Sequence, residues 1–396
     1  MGSTLKIQFP YNKIDFYYFI IVGIYLTSMF FPIIRTGVVA SALICLLTIE
    51  YYTKNHLAFR NTTDILVLIY VIYNTISFTL FSLTGLPKSV FVQEYSSSIL
   101  PIVFYYFAKN ERKNNYNFYK ITLYAILVSL IIGVIFFVKQ PYFYRGYLSH
   151  KNGGGTSILS NTQFFRGLFG ATVTGSIGAI GVLISSFYIL ESNGRKGKIA
   201  LLICLAAALL TFRRSAMYVS LLAILGIHYI GYFKYNFIKK RYLIVELLFV
   251  LLIVLYINSK IPFLFETIND RLIMLSNAFD QRTGNWLEGL KYGNIIIGSG
   301  LGRFSHKALP YTNEIIADGN YIRMIAEIGI VGTSMFVVII FGSLVKGLKN
   351  LHTNYLEIGI VFALCLQAIG SNIFSFQELA PIFWYSLGRL QLRSVN

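Results

Sequence analysis

Long apolar segments recur along almost the whole of this sequence, and they restrict its fold more than any other feature. About twelve stretches begin near Phe16, Thr36, Asp64, Val90, Ile121, Ala171, Lys198, Ser215, Tyr242, Tyr321, Tyr355 and Glu378. Most of them reach the ~20 residues that cross a hydrocarbon layer, and the seventh and last are short. A backbone in lipid must satisfy its own polar groups, so such segments are helices. They are too long and too uniformly apolar for barrel strands, which alternate over about ten residues. Composition agrees: 56% of residues are hydrophobic and 13% are charged, against about 25% charged in an ordinary soluble domain. The expected fold is all-α, a polytopic transmembrane helical bundle forming one integral membrane domain over residues 1–396.

The formal net charge of +18 would suggest nucleic acid if it were gathered in one patch. It follows the loops instead. With the N-terminus in the cytoplasm, 19 of the 34 basic residues fall on the cytoplasmic side. Most of these lie in short loops beside segment ends, where basic residues fix orientation. Nucleic acid is therefore not an expected partner, and both termini are expected in the cytoplasm. The first apolar run is long and lacks a small-residue cleavage site, so it reads as a span and not as a cleaved leader. Cys45, Cys204 and Cys365 all lie inside apolar segments and form no disulfide framework. His56, His228 and His352 have no ligand spacing, so no metal and no cofactor is expected.

Two stretches do not read as spans: 139–170, which holds the aromatic run from Tyr142 to Tyr147, and 258–320. Both fall outside on the charge count. Long segments of this kind are commonly functional, and two of them on one face point to chemistry there. The basic residues also differ between the two sides: 13 Lys and 6 Arg inside, 6 Lys and 9 Arg outside. Arginine offers a planar fork of donors that grips phosphate bidentately. An Arg-weighted outer face suits a phosphate-bearing ligand, while pairing with nearby carboxylates or lipid headgroups is the alternative.

The richest stretch runs from Arg282 to Gly332. It contains Arg282 and Trp286 four residues apart, then Gly298, Gly300 and Gly302 followed by Arg303. Asp318-Gly319-Asn320-Tyr321 come next, then Arg323 and Glu327 four apart, then Gly329 and Gly332. Each element has a plain structural reading. Arg282 with Trp286 forms a cation–π contact, and the glycines form turns. Asp318 or Asn320 caps a helix, and Arg323 pairs with Glu327. Charges at a span mouth nonetheless point to function, and Glu94, early in the fourth span, falls under the same rule. Gly175, Gly178 and Gly181 are spaced for close helix packing.

These elements resemble the O-antigen polymerase and ligase superfamily of bacterial membrane glycosyltransferases. That family carries R-x-x-x-W, a Gly-rich stretch, a short element ending in Asn with an aromatic, and E-x-G-x-x-G entering a span. Arg282, Trp286, Gly298, Gly300, Gly302, Asn320, Tyr321, Glu327, Gly329 and Gly332 follow that order. Upstream, Arg166-Gly167-Leu168-Phe169-Gly170 resembles the family's R-x-x-G entry to a mid-chain span, and Arg213-Arg214-Ser215-Ala216 resembles its S-R-[GST]-A turn. One departure stands out. Ligases of the family carry a His before the Asn, where this chain has Asp318-Gly319, which favours a polymerase.

The resemblance implies a donor oligosaccharide linked to a polyprenyl lipid through pyrophosphate, at the outer face of a bacterial plasma membrane. Arginines would neutralise the leaving pyrophosphate without a metal. Arg166, Arg214 and Arg282 are expected first in that role, with Arg213, Arg303 and Arg323 next. Trp286, Asn320 and Tyr321 are expected to line the substrate. Asp318 or Glu327, with His306 behind them, would take the acceptor's proton in an inverting displacement. Membrane lipid is an implied partner, and a chain-length regulator and a flippase are further ones. The two alternatives are a ligase that moves finished glycan to another acceptor and a lipid-linked oligosaccharide flippase.

Overall fold

A computed structural model describes residues 61–109, 116–139, 165–192, 195–211, 213–235, 294–316 and 318–392, with single positions between 284 and 291. Among them the regular structure is helical throughout. The chain runs α1 (Thr62–Ser82), α2 (Lys88–Ser98), a 3-10 turn (Leu100–Ile102), α3 (Val103–Lys109), α4 (Asn117–Lys139), α5 (Ala171–Ser192), α6 (Arg195–Leu210) and α7 (Arg214–Tyr235). A second 3-10 turn (His306–Ala308) precedes α8 (Asn320–Leu348) and α9 (Leu351–Gly370). A third (Ile373–Ser375) precedes α10 (Ala380–Leu390). Among the described residues five helices are long and apolar enough to cross a membrane: α1, α4, α5, α8 and α9. The segments expected from Phe16, Thr36 and Tyr242 lie outside the described residues, as does the loop over 141–164.

Outward-facing apolar side chains such as Ile76, Leu202, Phe341 and Phe362 remain exposed. A lipid-facing surface requires this and a water-facing one would not. α5 lies against α4, α6, α7 and α9. Its glycines permit the approach to α6: a Cβ at Gly178 would sit 3.0 Å from the Cys204 carbonyl oxygen, and one at Gly181 would overlap the Cys204 side chain. The expectation of close packing along Gly175, Gly178 and Gly181 is met.

Three elements depart from straight spans. The run expected from Val90 is two short helices with Leu100–Ile102 between them. Pro101 has no N–H to donate, and the Ser96, Ser97 and Ser98 hydroxyls turn back onto the preceding turn of α2. The last expected span, α10, has 11 residues and all of them are buried. It is about 16 Å long, half a bilayer, and is wrapped by α3, α8 and α9. At Gly388 it meets α3 so closely that a Cβ would run into the Tyr105 carbonyl. α8 has 29 residues, about 43 Å at 1.5 Å per residue, and is interrupted at Gly329. Residues 330–348 alone are about 28 Å long, close to the hydrocarbon thickness.

Both ends of the bundle are pinned by buried charge. At one end Lys109 pairs with Asp64, which also accepts a bond from the Tyr105 hydroxyl at 2.8 Å. At the same end Arg389 pairs with Glu357 at 2.7 Å and lies over the Tyr116 ring at 4.8 Å. The other end carries the glycine-rich loop and is called the loop end below.

Candidate functional site

The site is built around the interruption of α8. Gly329 has φ 70° and ψ 177°, a conformation open to glycine alone among common residues. An unbroken helix would bond the Ile330 and Val331 N–H groups to the Ala326 and Glu327 carbonyls. Here the Ile330 N–H donates to the Ile295 carbonyl at 2.8 Å and the Val331 N–H to that of Ile296 at 3.3 Å. In return the released Ala326 and Glu327 carbonyls accept from the Ser299 N–H, and Glu327 also accepts from Gly300 at 2.8 Å. The Ile328 carbonyl takes the Tyr73 hydroxyl of α1 at 2.9 Å. The glycine-rich loop therefore docks by exchanging backbone hydrogen bonds with a split helix. Non-helical backbone at this depth is tolerated only where protein encloses it.

Glycine is required on both sides of that exchange. Gly298 and Gly300 have φ values of 83° and 101°. A Cβ at Gly298 would collide with the Glu327 carbonyl, and one at Gly300 with the backbone of Phe81. Across the break, a Cβ at Gly329 would strike the Ile296 carbonyl and one at Gly332 the Tyr73 ring.

Four charges gather beneath the docked loop. Arg323 pairs with Glu94 at 3.0 Å, touches the Ser375 hydroxyl and lies 3.9 Å from Glu327. Lys307, from the 3-10 turn of the loop, reaches Glu94 at 3.0 Å, donates to the Gln93 carbonyl and bonds the Ser97 hydroxyl. The Ser98 hydroxyl donates to Glu94 at 2.8 Å, and Glu327 accepts the Phe304 N–H at 3.1 Å. Glu94, Glu327 and Arg323 are 0%, 1% and 3% exposed. Two carboxylates and two cations give formal neutrality, which makes such burial tolerable. Lys307 retains some contact with the surface, and desolvation holds its ammonium below the ordinary lysine range while Glu94 pulls it back up.

The sequence-derived residues divide into groups. Trp286, Asp318, Asn320, Tyr321, Arg323 and Glu327 meet around the start of α8. The Trp286 Nε1–H donates to the Asp318 carbonyl at 2.6 Å, and its ring packs with Phe304, Ile316 and Ala326. Gly319, with φ 96°, sits against that indole. Gly319 is the N-cap of α8, with no side-chain cap bond. Asn320 is the first helical residue, so the capping role expected of Asp318 or Asn320 is not the one adopted. Tyr321 donates to the Cys365 carbonyl at 3.1 Å, which directs it into the bundle. Arg303 pairs with Glu314 at 3.2 Å and lies over the Phe304 ring.

Arg166 and Arg213 belong to a different corner, where α5, α6 and α7 meet. The Phe165 N–H donates to the Leu210 carbonyl at 3.1 Å, and the Arg166 carbonyl accepts the Thr174 hydroxyl at 2.7 Å. Arg213 is exposed just ahead of α7, which Arg214 opens. α9 packs against both α5 and α8 and so links the two corners. Arg282 lies outside the described residues. Sequence reasoning raised Glu94 but missed Lys307, Ser98 and Ser375. A lysine in a loop carries no spacing that points across to α2, and serines are too common to signal anything.

No protein-family model matches this chain, and a search of curated proteins finds no match to it.

Proposed function

We propose that this chain is a membrane glycosyltransferase that polymerises polyprenyl-pyrophosphate-linked oligosaccharide repeat units of O-antigen or capsule at the outer face of a bacterial plasma membrane. In this reading the chain crosses the membrane about twelve times, both termini are cytoplasmic, and the loop end faces outward. One observation supports it: of the motif elements that resemble the polymerase and ligase superfamily, those from Trp286 to Gly332 meet in space, while Arg166 and Arg213 lie at another corner. Trp286 bonds to the backbone of Asp318, 32 residues on. The glycines at 298 and 300 interlock with Glu327 and Gly329.

Burial supports a different division of roles among these residues. Arg323 and Lys307 together neutralise Glu94 and Glu327 inside the protein, so in this reading Arg323 and Glu327 position the loop and do not touch substrate. A catalytic base must reach the acceptor hydroxyl. Asp318, half-buried beside Trp286, suits that better than Glu327 at 1% exposure. In the reaction the acceptor oxygen attacks the anomeric carbon, its proton passes to the base, and the bond to the pyrophosphate breaks. In this reading arginines take up the charge on the departing polyprenyl pyrophosphate, with Arg166, Arg213, Arg214, Arg282 and Arg303 the ones proposed for it.

The test is a sugar-stained gel of surface glycan from a deletion strain complemented with wild type, Arg282→Ala or Asp318→Asn. The expected result is a ladder with wild type and a single repeat unit with either variant. Long chains that stay on the carrier lipid would instead mark a ligase. A lipid-linked oligosaccharide flippase is favoured by one specific observation: α2–α3, α8 and α10 are interrupted or half-length, as in transporter binding sites. Repeat units trapped on the cytoplasmic side of the deletion strain would establish that reading and overturn ours.

A further inference from the structure

Three buried side-chain polar atoms of α8 have no hydrogen-bond partner: Asn320 Oδ1, Arg323 Nε and Glu327 Oε2. They sit on one face of α8 at i, i+3 and i+7, and all three residues line a single small cavity with Ser98, Met324 and Ser375. Arg323 Nε and Glu327 Oε2 are 3.9 Å apart. That is too far for a direct hydrogen bond, and at such a separation a bridging water is the usual solution.

We infer that this cavity is a binding site for one water molecule, held by Asn320, Arg323 and Glu327. Its volume of about 20 Å³ exceeds the roughly 10–15 Å³ that a single water needs and is too small for a phosphate or a sugar. The unpartnered atoms of the lining are one donor and two acceptors, with the Ser98, Ser375 and Tyr70 side chains beside them. A water accepts from Arg323 Nε and donates to Glu327 Oε2 and Asn320 Oδ1, which gives the three bonds typical of a buried water. The arginine N–H disfavours a metal or ammonium ion, and the carboxylate disfavours an anion. The bound water would join the first two turns of α8 to each other directly behind the docked loop. It does not depend on which substrate the protein uses.

The test is X-ray radiolytic footprinting of the purified full-length protein in detergent, where a bound water generates hydroxyl radicals beside it. Met324, 7% exposed, lines the cavity. Met335 lies three turns further along α8, is less buried, and lines no part of it. The two share the same chemistry, so their ratio is internally controlled. Met324 is expected to be oxidised several-fold faster than Met335. Equal rates, or an unmodified Met324 beside a modified Trp286, overturn the site. Asn320→Leu, similar in size but without the acceptor, is expected to reduce the Met324 rate to that of Met335. A folded Asn320→Leu protein that keeps the fast rate also overturns it. If that variant does not fold, the wild-type ratio still decides.

Discussion

Glu94 is the residue on which the loop end depends most. It is fully enclosed and faces two cations, so removing its charge strands Arg323 in a desolvated site. Breaking one partner of such a buried pair costs roughly 3–5 kcal/mol. Glu94→Ala is therefore expected to lower the thermal midpoint strongly, read by size-exclusion chromatography of heated, detergent-solubilised protein. Lys307→Met should cost only about 1 kcal/mol, because the side chain is 26% exposed and solvent screens part of its interaction. Equal losses from the two variants would refute this hierarchy. The pairing of Arg323 with Glu327 was legible from their spacing. The stronger pairing with Glu94 was not: it spans 229 residues, and no periodicity connects two helices so far apart in the chain.

Among the elements, α8 carries the sharpest expectation. Gly329→Ala places a side chain where φ is 70° and where the Ile296 backbone already lies. The conformational penalty alone is about 1–3 kcal/mol. The helix is expected to close over the break and expel the loop, exposing residues 294–300 to protease. Limited proteolysis of wild type and variant checks this; an unchanged cleavage pattern would mean the loop is held mainly by side chains. Gly226→Ala, where a Cβ meets open space, is the control and should leave the pattern unchanged. The glycines were visible in the sequence as a motif with turn geometry. Their partnership with a split helix was not, because backbone exchange leaves no residue-type signature. The kink at Pro101 was present in the sequence too, but the apolar run around it concealed the break.

For the whole molecule, the long apolar helices were the most readable feature, because hydrocarbon thickness acts on composition directly. What could not be read was which segments cross fully and which stop halfway. Burial inside protein and burial in lipid select the same residues, and α10 is apolar for the first reason. In a background with Cys45, Cys204 and Cys365 replaced, Arg213→Cys is expected to react with a membrane-impermeant maleimide on intact cells. Lys349→Cys should react only after permeabilisation. The reverse pattern would invert the assignment and remove the proposed outward-facing site.

The exchange of backbone bonds at Gly329 also bears on biogenesis. A helix with two unpaired N–H groups cannot rest in lipid, so α8 must enter the bilayer self-bonded and continuous. It can open at Gly329 only when residues 295–300 are there to accept and replace its bonds, with Tyr73 of α1 alongside. Maturation of the loop end is then a step separate from insertion and later than it. A chain arrested between the two would be fully integrated in the membrane yet have no site.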